Sequence, residues 1–209
     1  MIKKVVSHKL TYLDYSKLAN LANLSLKEVP GIVIEAGCAL GGSSIVLCAA
    51  KHKDKPLRIY DVFGMIPSPT EDDDQDVHNR YEIIKNGKSP GIKGDLYYGY
   101  SDDLYNKVIR SFLEMGYPIE ENNVSLIKGL VQDTLYVEEK VSLVHIDVDW
   151  YEPVKVCLER IVPKLSKGGA IVVDDYLCWS GCKKAVDEYF QDRDGYKFEV
   201  NKSLIIKKL

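Results

Sequence analysis

The sequence has no excess of either charge: 28 lysines and arginines stand against 31 aspartates and glutamates, a formal net charge of -3. So even a balance leaves no electrostatic footprint for nucleic acid or an anionic membrane, and a small molecule is the expected partner. No apolar run approaches the roughly 18 residues of a membrane-spanning helix. The start, M-I-K-K-V-V-S-H-K, lacks the apolar centre of a secretory signal. Cysteines are few and odd in number, 5, which fits reduced thiols in a cytoplasm better than a disulfide framework. Cys178-x-x-x-Cys182 has no second cysteine or histidine pair beside it, which argues against structural zinc. A G-x-x-x-x-G-K-[ST] phosphate loop, an internal repeat and a low-complexity tail are all missing. The expectation is a soluble, cytoplasmic chain of 209 residues with one α/β domain, since 45% hydrophobic content suits one sizeable core.

What is present is dominated by residues 141 to 176. Two β-branched apolar runs, V-S-L-V-H-I and A-I-V-V, each end in a pair of acids, Asp147 with Asp149 and Asp174 with Asp175. Continuous apolar runs bounded by turn residues suit strands buried on both faces of a parallel sheet. Ligands bind beyond the carboxyl ends of such strands. Four carboxylates meeting on one rim require protonation, hydrogen bonds or a cation, and a hard divalent ion such as magnesium is the simplest answer. Asp147 and Asp149 alternate to the same side of an extended strand end, so Asp149 is a candidate general base or fourth metal ligand. His145 lies on that side too, but deeper, where a satisfied core histidine is the expected state.

Earlier in the chain, Gly31 to Gly37 reads as a short buried strand, and I-V-L-C-A-A-K as the helix of a βαβ unit. Leu57 to Val62 is a second strand, with Asp61 near its end, and Val124 to Lys128 a third. Leu13, Leu18, Leu21 and Leu24 predict a helix within Thr11 to Val29, and Leu104, Val108, Phe112 and Met115 another within Asp95 to Met115. Between Phe63 and Pro90 the pattern dissolves, which points to a lid. The organisation expected is one domain over 1–209, with a helical cover at 1–30 and a substrate-recognition insertion at 63–120. A long cover and lid of this kind suggest a homodimer.

The turn E-A-G-C-A-L-G-G suits either a close ligand approach at Gly37 and Gly41 or plain turn chemistry. Ala39 stands where a dinucleotide fingerprint has glycine. Asp61 suits a ribose, and equally a helix cap or a solvated loop. The run Glu71 to Asp76 reads as a solvated face rather than a second cation site. Tyr97, Tyr98 and Tyr100 suit a stacking wall or the base of the lid, and Trp179 a pocket wall or packing.

Together, E-A-G-C-A-L-G-G-S-S, I-Y-D-V-F-G, L-I-K-G-L-V-Q-D-T-L, H-I-D-V-D-W-Y and V-V-D-D-Y-x-x-x-x-G-C-K-K-A-V resemble the class I S-adenosylmethionine-dependent methyltransferases. Within that class they resemble the macrocin O-methyltransferase group, which methylates sugar hydroxyls, over about residues 31 to 190. The resemblance implies a Rossmann-like, doubly wound, seven-stranded α/β sheet whose last strand is antiparallel. It also implies S-adenosyl-L-methionine (SAM) and Mg2+ as cofactors. Glu35, Gly37, Gly41 and Ser43 would surround the methionine part of the donor, Asp61 its ribose, and Gln132 and Asp133 its adenine side. Asp147 would border the donor and, with Asp174 and Asp175, hold magnesium. The chain has D-V-F-G-M-I-P where the family often has D-S-F-E-G-L-P. The acceptor implied is a sugar hydroxyl of a glycosylated natural product, a nucleotide-linked sugar or a polysaccharide precursor. A catechol-type methyltransferase is the alternative in the same fold, although Trp150 stands where that branch usually has lysine. An NAD-dependent sugar dehydrogenase would share Asp61 and the glycine turn but leave the later acids unexplained, and a non-enzymatic binding module is the last alternative.

Overall fold

The computed structural model describes residues 1–209. Five apolar stretches form parallel strands: β1 (Ile32–Ala36), β2 (Leu57–Asp61), β3 (Val124–Lys128), β4 (Val141–Ile146) and β5 (Leu165–Val173). The chain closes with β6 (Tyr196–Asn201) and β7 (Ser203–Lys208). Strand order is β3-β2-β1-β4-β5-β7-β6, and β7 runs antiparallel to both neighbours. This is the seven-stranded sheet with an antiparallel last strand that the sequence implied.

Helices cover both faces: α1 (Ile2–Ser7), α2 (Tyr15–Ser25), α3 (Gly42–Ala50), α4 (Gln75–Lys85), α5 (Leu104–Glu114), α6 (Val131–Thr134), α7 (Tyr151–Ile161) and α8 (Ser180–Phe190). No helix is long and apolar enough to cross a membrane. Strand alternation divides the interior into two cores. Ile32, Ile34 and Ala36 of β1 join Val154, Leu158 and Ala185 on the α7/α8 face. Val33 joins Leu18, Ile45 and Phe112 on the α2/α3/α5 face.

The helix expected within residues 11–29 is α2, begun by Asp14, whose Oδ1 accepts the Lys17 amide at 3.0 Å, and α1 precedes it. The structure differs from the sequence expectations in two places. The helix expected over 95–115 is confined to α5, because 3-10 turns occupy Ile92–Gly94 and Tyr98–Tyr100. The stretch expected to be irregular contains α4, whose buried side is only Val77 and Ile84. A helix with so thin an apolar stripe leaves a faint periodic signal.

The acidic run before α4 is not wholly solvated. Asp73 is buried, and its Oδ1 accepts the first amide of α7, Tyr151 N, at 2.8 Å. Its Oδ2 accepts Thr70 N at 3.1 Å, and Asp76 Oδ2 accepts Ser180 N, at the start of α8, at 3.1 Å. The segment from Thr70 to Asp76 is thereby tied to two helix N-termini, where free amides and the helix dipole favour a carboxylate. Asp73→Ala is expected to cost about 1–2 kcal/mol, the range of a lost helix cap. Denaturant unfolding checks the loss, and faster protease cleavage within residues 63–74 checks that it falls on the lid.

Candidate active site

The carboxyl ends of β1, β2, β4 and β5 form one rim. Gly37 turns the chain out of β1 with φ +83, and a Cβ there would collide with the Asp147 carbonyl oxygen. Only glycine lets the β1 turn lie so close to the end of β4. Two cavities open on this rim, of about 690 Å³ and about 930 Å³, and Gly37, Asp61, Tyr98, Asp147, Asp149 and Trp150 line both. They are adjoining halves of one cleft.

The first half lies between the β1 turn, the β2 end, the loop at Pro67–Thr70 and α6. Gln132 lines it, held in place by Arg160, which donates to the carbonyls of Val131, Gln132 and Leu135 at 3.1, 2.8 and 3.0 Å. Asp133 is exposed and lines neither half. Asp61 is committed to the turn: Oδ2 accepts Cys38 N at 2.7 Å and Ala39 N at 3.3 Å, and Oδ1 accepts Phe63 N at 2.6 Å. Burial pushes its carboxyl up and those amides pull it back.

Glu35, Gly41 and Ser43 also stay off the cleft. Glu35 differs most from expectation. It shares the strand parity of Val33, so it points toward α3, and both Glu35 and His145 are 0% exposed. Glu35 Oε1 lies 2.8 Å from His145 Nδ1, and Oε2 accepts the Ser44 hydroxyl. A carboxylate so enclosed braces the base of the turn and does not reach a ligand. His145 is only half satisfied, for its Nε2 is buried with no partner. Glu35→Ala would strand Ser44 Oγ and His145 Nδ1, at about 1–3 kcal/mol for each unsatisfied group. Denaturant unfolding should show the loss, and S-adenosylhomocysteine affinity of the folded fraction should be unchanged. Gly41 adopts φ +86 as the N-cap of α3, and Ser43 is buried in its first turn.

The acids behave differently from one another. Asp147, Asp174 and Asp175 each offer an oxygen within 4.8 Å of the others. Asp174 Oδ1 and Asp175 Oδ2 are buried without a partner. Burial first, then repulsion among the acids, holds the carboxyls of Asp147 and Asp175 well above the usual range. Three acids whose oxygens approach this closely, with two orphaned oxygens among their carboxyls, fit a hard cation. Asp149 stands outside the triad, its backbone at φ +58, in the left-handed region that aspartate tolerates better than most residues. Its Oδ1 accepts Trp179 Nε1 at 3.0 Å, and burial pushes its carboxyl up to about 6 against the pull of that bond and of the Arg80 charge.

The second half of the cleft contains two cations that sequence reasoning missed. Lys17 of α2 donates to Asp174 Oδ2 at 2.8 Å, with side chains 16% and 7% exposed. Arg80 projects from α4. Lys17 was hidden in the polar face of an amphipathic helix, and Arg80 in a helix too polar to be seen. The tyrosines divide their work: Tyr97 and Tyr98 line the cleft, whereas Tyr100 Oη donates to Ile84 O at 2.6 Å and anchors the lid. Trp179 stacks edge-on to Trp150, with centroids 5.8 Å apart, and walls the same half.

Comparison with known proteins shows the family and the fold. The mycinamicin III 3''-O-methyltransferase of Micromonospora griseorubida is 29% identical over 205 residues, covering 91% of this chain and 73% of that enzyme. The demethyldecarbamoylnovobiocin O-methyltransferase of Streptomyces niveus is 28% identical over 173 residues, 78% of this chain, and the chain spans only 59% of that relative's length. The solved O-methyltransferase NovP superposes with a TM-score of 0.76 at 24% identity, covering 95% of this chain and 82% of that one, a shared fold. The family model for macrocin O-methyltransferase (TylF) matches residues 13–202, well beyond the motifs at both ends, and the chain belongs to that family.

Proposed function

We propose that this chain is a SAM- and magnesium-dependent O-methyltransferase acting on a sugar hydroxyl. The observation that carries the reading is the acid triad with its orphaned oxygens, set at the junction of two cavities that meet at Gly37. The family and its O-methyltransferase relatives support the methyl transfer.

The first half of the cleft is the donor side. There Gly37 admits close approach, Gln132 lines the wall, and Asp61 keeps the turn amides in register. When bound, SAM supplies a methyl group already activated by a sulfonium, so the protein must chiefly align the two reactants and deprotonate the acceptor. Asp147, Asp174 and Asp175 would hold the metal. A divalent ion in that position supplies a Lewis acid that lowers the pKa of a bound hydroxyl.

Asp149, next to the triad and separate from it, takes the acceptor proton on its carboxylate. The Trp179 indole keeps that carboxylate aimed into the cleft. Tyr12, Tyr97 and Trp179 offer apolar faces with polar tips to a sugar ring. The cover at 1–30 and the insertion at 63–120 close the site against water, joined by the Lys9–Asp95 ion pair at 2.8 Å and by Tyr12 against Tyr98. Titration with S-adenosylhomocysteine tests the donor half: micromolar binding is expected, and no binding at millimolar ligand would remove the reading.

A further inference from the structure

Arg80 is a cation in the acceptor half of the cleft that forms no ion pair. Its Nη2 donates to Ser89 Oγ at 2.9 Å, and it takes part in none of the ion pairs of the chain. The neighbouring cation, Lys17, is already paired with Asp174. The guanidinium is half-buried on α4, a helix held by the lid contacts of Asp73 and Asp76, so it is not a freely solvated surface charge. Its field favours the ionised forms of Tyr12 and Tyr97, which line the acceptor half alone. The leading influences on Asp61, at the glycine turn, are burial and backbone amides.

A neutral sugar does not require such a charge. Hydroxyls are bound as well by the aromatic walls and by the carboxylates, and a partly desolvated guanidinium without a counter-charge costs free energy. The guanidinium fork matches a pair of anionic oxygens in bidentate geometry, in which charge-assisted bonds are roughly twice as strong as neutral ones. We propose that Arg80 selects an acceptor sugar bearing an anionic oxygen pair, either a uronate carboxylate or a phosphate ester. The inference rests on the reading of this cavity as the acceptor site of a methyltransferase. It adds the acceptor's charge and the residue of this chain that would read it.

The test is calorimetric titration of the full chain, saturated with S-adenosylhomocysteine and magnesium, against glucuronate, glucose 6-phosphate and methyl glucoside, in wild type and Arg80→Gln. At least one anionic sugar should bind wild type about tenfold or more tighter than methyl glucoside. The tighter of the two anions identifies carboxylate or phosphate. Arg80→Gln should lose that preference while keeping its S-adenosylhomocysteine affinity, which also shows that the variant is folded. Equal affinities, no binding of either anion, or a preference that survives in Arg80→Gln would overturn the proposal, the last because the metal would then supply it. Weakened S-adenosylhomocysteine binding in the variant would overturn it too, by assigning the guanidinium to the donor. Failure of wild type to bind S-adenosylhomocysteine at all would instead remove the methyltransferase reading itself.

Discussion

Asp175→Asn should abolish turnover and at the same time make the metal-free protein more stable at neutral pH. The two effects have one cause. In the metal-free chain the carboxyls of Asp147 and Asp175 are held well above their ordinary range, by burial first and then by the neighbouring acids. The folded chain thus keeps protons that the unfolded chain releases near pH 4. For groups shifted in this direction, the contribution to stability is full below the unfolded-state value and is lost as pH rises through the raised folded-state values. At pH 7 the metal-free site is therefore a store of repulsion, and an asparagine amide of the same shape relieves part of it. A cation held by the triad, as proposed, would relieve it in wild type. Saturation at a hundred times the dissociation constant adds about 2.7 kcal/mol to wild-type stability and nothing comparable to the variant. Losing several kcal/mol of Lewis-acid assistance lowers kcat/KM about a hundredfold or more. Thermal melts at pH 5 and pH 7, with and without magnesium, and initial rates check each part. A variant destabilised at neutral pH without metal would contradict the account of the triad.

Asp149→Asn should lower kcat by about 10²–10⁴, the usual contribution of a positioned general base, with S-adenosylhomocysteine affinity about unchanged. Burial brings the Asp149 carboxyl to about 6 in the metal-free chain, near the value a base at neutral pH needs. Wild-type kcat should rise with pH as Asp149 loses its proton and flatten above that point. A bound cation moves this limb to lower pH, because nearby positive charge favours the carboxylate. The rising limb should vanish in Asp149→Asn, and a variant that keeps it assigns the base elsewhere. The indole bond gives an independent handle, for Trp179→Phe frees Asp149 Oδ1 without touching its charge. A several-fold loss in kcat with little change in the acceptor KM is expected, and rates over an acceptor series would show it.

The sheet and the acids were legible because burial on both faces makes β4 and the second half of β5 rich in β-branched apolar residues, and paired acids follow where each strand meets the rim. The close approach at Gly37 was legible for a similar reason, since glycine ends a buried strand there. Roles that depend on partners far along the chain were not legible. Glu35 finds His145 at a separation of 110 residues, and Asp73 finds Tyr151 at 78. The first pairing requires knowing that β1 lies beside β4 in a register that sets Glu35 against His145. The parity of β1 did contain a warning, because Ile32, Ile34 and Ala36 already claim one face and leave Glu35 on the other. Separating Asp149 from the triad likewise needed the turn at φ +58, which an extended-strand alternation cannot anticipate.

Calorimetric titration of magnesium into the protein saturated with S-adenosylhomocysteine tests the central claim most directly. One ion per chain should bind wild type, and no binding should remain in Asp175→Asn. An absence of binding in wild type, or the same stoichiometry and affinity in the variant, would mean that these three aspartates do not hold the cation.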